Sequence, residues 1–128
     1  MQEHEFVAAV AGSTGIRHEE AERAVRSTVQ VLGSRLSGGQ TRNLAAQLPP
    51  EIASTLPAEG PGERFDAEEF CLRVAESEGC SPQQARQHAR ATFAALKVGL
   101  TGNEYDHIAA QLPPDYADLL GIEPVHHH

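Results

Sequence analysis

Glu104 and His107 stand three residues apart in a chain of 128, with Asp106 just before the histidine. On a helix the Glu-x-x-His spacing puts both side chains on one face, the arrangement that helical di-metal proteins use. Such a centre needs a second copy of the motif and two further carboxylates from neighbouring helices. Sixty-four residues earlier stand Gln40 and Asn43, so the sequence predicts no metal and no cofactor. The alternative is a single metal- or ligand-binding or enzymatic site around Glu104, Asp106 and His107. The competing role for Glu104 is a capping glutamate on a solvated helix face.

The two cysteines are too few for a disulfide framework or a four-cysteine zinc site. Cys71 lies sixty-four residues after Val7 and Cys80 sixty-four after Ile16. Both are read as buried thiols standing where an aliphatic residue also serves. His88 follows Ala24 at the same distance, and His18 precedes Pro82, so no histidine base is kept in both places. The nucleophile-elbow, phosphate-loop and dinucleotide patterns are absent from the sequence, and no catalytic residue is assigned.

Among the polar residues that recur at that offset are Arg26 with Arg90 and Gln47 with Gln111. If the first two helices run antiparallel about a turn near Ile16, Glu5 and Arg26 come level, and so do Glu69 and Arg90. The pairs Glu5–Arg26 and Glu69–Arg90 are therefore expected; the competing role for Glu69 is a capping box with Asp66. Gln47 and Gln111 have two readings. Each amide satisfies backbone groups left unpaired where prolines break the helix, or the two line a groove that receives a peptide or a partner helix.

The offset itself organises the chain. Between Glu5/Glu69 and Leu56/Leu120 the sequence matches itself without a gap, with about twenty identities in fifty-two positions. They include Phe6/Phe70, Val10/Val74, Gly15/Gly79, Leu32/Leu96 and the block Ala-Ala-Gln-Leu-Pro-Pro at 45–50 and 109–114. The reading is all-α: a tandem duplication of a four-helix unit packed as one compact helical domain of about eight helices. Its parts are a first repeat over 1–57, a linker over 58–65 rich in proline and glycine, a second repeat over 66–121 and a tail over 122–128. His126, His127 and His128 read as the remnant of a purification tag and are left out of fold reasoning.

Within a unit, Phe6, Val7, Val10 and Ala11 form one helical stripe. Gly15 ends that helix in a left-handed residue. A long second helix carries Ala21, Val25, Thr28, Val29, Leu32 and Leu36. Its counterpart starts at Ser81-Pro82-Gln83-Gln84, a capping box with proline at the first helical position. Ser37 with Gln40, and Thr101 with Glu104, are expected to cap a third helix. The double prolines then open a short fourth.

Aromatic residues are only 5% of the chain, which predicts a core of Ala, Leu and Val without large stacking platforms. Ten basic against eighteen acidic residues give a net charge of −8, which repels phosphate backbones and anionic lipid. Nucleic acid and membrane partners are therefore set aside. The start lacks the basic segment and apolar run of a signal peptide, and no stretch approaches the roughly 20 apolar residues of a membrane helix. The expected place is the cytoplasm, and the expected partner a protein.

Glu-Phe-x₃-Val-Ala ahead of a long helix, followed by Ala-Ala-Gln-Leu-Pro-Pro, twice over, resembles a bacterial family catalogued only as a domain of unknown function, number 2267. The resemblance runs over roughly 5 to 121. It implies the paired helical layout and a prokaryotic origin, and it supplies no activity. The leading functional reading is a non-enzymatic helical interaction module.

Overall fold

A computed structural model describes residues 1–57 and 60–122. Its described residues form seven α-helices and no strand: α1 (Glu3–Thr14), α2 (His18–Arg35), α3 (Gln40–Gln47), α4 (Pro50–Ala53), α5 (Ala67–Glu78), α6 (Pro82–Gly99) and α7 (Gly102–Ala110). Where an eighth helix was expected, Pro114–Tyr116 makes a single 3₁₀ turn. Both α5 and α6 begin and end sixty-four residues after α1 and α2. Residues 58–59 of the expected linker and the 123–128 part of the tail, with its histidine run, lie outside the described residues.

The helix ends follow from local chemistry. Gly15 (φ 75°) and Gly79 (φ 74°) are left-handed, and their amides donate to Ala11 O and Ala75 O, closing α1 and α5. Ser81 Oγ accepts from Gln84 N while the Gln84 side chain returns to the Ser81 amide, whereas α2 starts at Arg17 with no side-chain cap. Thr101 Oγ1 accepts from Glu104 N as expected. Ser37 does not cap α3. Gly38 and Gly39 (φ 65° and 83°) intervene, and the helix begins after Gly39.

α1 packs against both α2 and α6, and α5 against both α6 and α2. α2 and α6 also touch each other, so the four long helices share one core. Leu32 and Leu96 are both buried, as are Phe6 and Phe70. The core is more aromatic than the composition predicts, because the few aromatics concentrate there. Phe70 stands 5.7 Å from Phe93 and 5.8 Å edge-on from Tyr116, measured between ring centres, and Phe65 flanks them. Such pairs contribute about 0.5–1.5 kcal/mol each beyond their buried area.

α3 and α7 follow the C-terminal ends of α2 and α6 and meet each other. Residues 60–65 do not hang free between the halves. Glu63 N donates to Ser34 O at 2.9 Å, and Arg35 Nε donates to Phe65 O at 3.1 Å. Arg73 stacks on the Phe65 ring at 4.0 Å and binds Glu63 at 2.8 Å. No helix among the described residues is long and apolar enough to cross a membrane.

Candidate functional site

The start of α5, the start of α6 and the segment after α7 enclose a cleft of about 620 Å³. Two carboxylates build the first corner: Asp66 Oδ1 accepts from Glu69 N, and Asp115 Oδ2 accepts from Ala67 N, both at 2.8 Å. The 3₁₀ turn is thereby fixed to α5. Arg86 Nε donates to Asp118 Oδ2 at 2.7 Å and fixes the last segment to α6. Cys71 and Leu119 are buried in the cleft lining, while Leu72 is 43% exposed. Among the described residues, Asp66, Glu68, Asp115 and Asp118 line it with Arg86 as the one cation. Burial pushes the Cys71 thiol above its ordinary range, with Asp118 adding and Arg86 opposing. A thiol so held is a packing group and a poor nucleophile.

Gln47 and Gln111 each reach into the other half. Gln111 Oε1 accepts from Ser37 N at 2.9 Å and its Nε2 donates to Ser37 O at 3.0 Å. Gln47 Oε1 accepts from Thr101 N at 3.0 Å and its Nε2 donates to Thr101 Oγ1 at 3.2 Å. Ser37 and Thr101 are themselves sixty-four apart. The amides therefore satisfy backbone left open just before α3 and α7, not backbone at the proline breaks that follow them. A groove beside Gln111 is lined by Arg35 and Arg64, and Gln47 has no part in it.

Neither expected arginine pair forms. Arg26 Nη2 binds Glu3 Oε2 at 2.8 Å and Glu22 at 3.1 Å, while Glu5 Oε1 accepts from the Gln2 amide at 2.9 Å. Glu5 is drawn to the unpaired amide at the start of its own helix, and Glu3 takes its place. In the other half Glu69 binds Arg73 at 2.9 Å, and exposed Arg90 lies 3.9 Å from Asp118. Ala67 occupies the position equivalent to Glu3, so Arg90 has no acid there to meet.

The alternative site around Glu104, Asp106 and His107 is not assembled. Glu104 is buried, and its Oε1 accepts from Gln40 Nε2, whereas Asp106 and His107 are exposed. Glu104 does not return to the Thr101 amide as a capping glutamate would, because Gln47 takes that amide.

Sequence reasoning missed a different corner. Glu78 ends α5, left-handed Gly79 reverses the chain, Cys80 follows, and His88 lies in the second turn of α6. Candidate ligand atoms of the three residues all lie within 4.8 Å of one another. His88 Nδ1 and Glu78 Oε1 share a hydrogen bond at 2.8 Å, with side chains 7% and 4% exposed. Burial raises the Glu78 carboxyl above the usual carboxylate range, against the hydrogen bond from His88. Burial also raises the Cys80 thiol, helped by Glu78. The missing signal was proximity: residues 78, 80 and 88 share one helix corner, but comparing the halves sets aside whatever one half alone contains.

These features define a class, an all-helical protein whose long helices share one core and whose two halves exchange polar contacts. Within that class the chain belongs to the family described as "Uncharacterized conserved protein (DUF2267)", whose sequence profile matches residues 3–119. No curated protein matches the chain.

Proposed function

We propose that this protein is a non-enzymatic interaction module of the bacterial cytoplasm, built as a tandem duplication of a four-helix unit, with residues 1–57 and 66–121 as the two copies. The equal spacing of α1/α5 and α2/α6 and the reciprocal glutamine contacts support the duplication. Free Cys71 and Cys80 suit a reducing compartment.

The observation that carries the interaction reading is the cleft between α5 and α6. Its apolar lining, exposed Leu72 and four carboxylates against one guanidinium complement a basic, amphipathic segment of a partner protein. Covering Leu72 contributes on the order of 1 kcal/mol, because half of its surface is already removed from water. The charged rim supplies orientation and encounter rate more than affinity.

A photo-crosslinking residue at position 72, compared with one at exposed Gln30 on α2, tests this in the native host. One protein captured from position 72 and not from position 30, with a basic stretch at the crosslink, is the expected result. Equal labelling from both positions, or none from position 72, would overturn the reading.

A further inference from the structure

We propose that Glu78, Cys80 and His88 form a binding site for one divalent transition-metal ion of the zinc type, with a fourth position open to water or an outside ligand. The inference is independent of the partner cleft and rests on three observations.

The first is convergence. An oxygen, a sulfur and a nitrogen from the end of α5, the turn and α6 lie within 4.8 Å of one another. Ligands held at about 2.0–2.3 Å from a tetrahedral ion stand about 3.6 Å apart. Closing the largest of these gaps therefore needs about 1 Å, within the reach of side-chain rotation.

The second is an unmet demand. Glu78 Oε2 is buried without a hydrogen-bond partner, although its side chain is only 4% exposed. A buried acceptor left open has lost its water and gained nothing in return, so a ligand that satisfies it is favoured. The other oxygen is held by His88, so the open one is free to turn to an ion without breaking a bond to the rest of the protein.

The third is the donor set. Mixed sulfur, nitrogen and oxygen suit zinc and cobalt(II), while calcium and magnesium require oxygen throughout. Partly exposed Cys80 gives the ion a way in. Arg23 and Glu20 on α2 also face the carboxylate, one favouring and the other opposing its charge. Binding would displace the thiol proton of Cys80 to solvent, together with any proton on the ligating atoms of Glu78 and His88.

The first half supplies the control. Thr14, Ile16 and Ala24 stand sixty-four residues before these three, and the set they make holds no strong ligand. One ion per chain follows. Replacing the three residues by their counterparts gives the variant Glu78→Thr, Cys80→Ile, His88→Ala, whose residues already pack at an equivalent corner of this chain.

Cobalt(II) titration of the full chain, with His126, His127 and His128 changed to serine, tests the site. The expected result is one equivalent bound, a thiolate-to-cobalt charge-transfer band, the intense visible bands of a four-coordinate ion, and displacement by zinc. Cys80→Ser should abolish the charge-transfer band, and Cys71→Ser should leave it intact. His88→Ala should weaken binding by more than about 100-fold, beyond what loss of an outer-shell partner costs. The triple variant should retain helicity and bind no cobalt. Absence of the charge-transfer band in the parent chain would overturn the proposal, as would a band that survives Cys80→Ser. Should the triple variant lose its helicity, Cys80→Ser and His88→Ala decide by the same readouts.

Discussion

Replacing Gln111 by alanine removes the two hydrogen bonds to the amide and carbonyl of Ser37, at 2.9 and 3.0 Å, and a longer one from the Ser37 hydroxyl at 3.5 Å. Each contributes about 1 kcal/mol net, and backbone groups left without water or a partner add to the loss. Ser37 and Gln111 are both half-buried, so the expected destabilisation is about 2–3 kcal/mol. Gln47→Ala removes the bonds to the amide and hydroxyl of Thr101 at an exposed place. Water substitutes there, and the loss is about 0.5–1 kcal/mol. Urea unfolding with a common slope measures both, and a shift of about 4 °C in Tm per kcal/mol is the thermal counterpart. A Gln111→Ala protein within about 0.5 kcal/mol of the parent, or more stable than Gln47→Ala, would refute the view that burial sets the strength of these contacts.

Gly99→Ala should destabilise by about 1–3 kcal/mol, since its methyl group would sit 2.5 Å from the buried Phe6 ring. Gly12→Ala, with open space around it in α1, should stabilise by about 0.5–1 kcal/mol; opposite signs in urea melts check the pair. Tyr116, buried and bonded to Phe65 O, is pushed up to about 12. Its contribution of about 3 kcal/mol is present below about pH 10 and lost as pH rises through the folded value. Tyr116→Phe should flatten the stability profile in that window, and an unchanged slope would contradict the assignment. The Glu78 carboxyl is raised by burial, so its stabilising neutral form is lost as pH rises. Glu78→Gln should therefore gain on the parent as pH rises above the ordinary carboxylate range, a trend that paired melts would reveal or exclude.

The long helices were legible because their signals are local. The stripes of α1 and α5, the left-handed glycines at 15 and 79 and the capping box at Ser81 depend on residues within two turns of one another. The ion pairs were not legible. Counting residues from a turn places Glu5 level with Arg26, but it cannot weigh the open amide of Gln2 against the guanidinium. The α3 cap failed for a related reason. Two glycines with positive φ displaced the helix start, and Ser37 became an acceptor and donor for Gln111 instead. The aromatic cluster escaped composition because a 5% share says nothing about where the rings meet. The Glu78–His88 contact was hidden by the test that served best elsewhere, since positions that differ between halves were set aside.

The bond between Gln40 and Glu104 joins residues sixty-four apart. On the duplicated reading proposed above, it marks the place where each copy faces its twin. A homodimer of first copies would set an amide against an amide there, which can share a proton donor and acceptor. A homodimer of second copies would oppose two carboxylates in a buried setting, and one of them would have to stay protonated. Fusing the copies into one polypeptide lets each side of the axis carry a different residue. An amide facing an acid is then available, a combination that no symmetric assembly of identical subunits can reach.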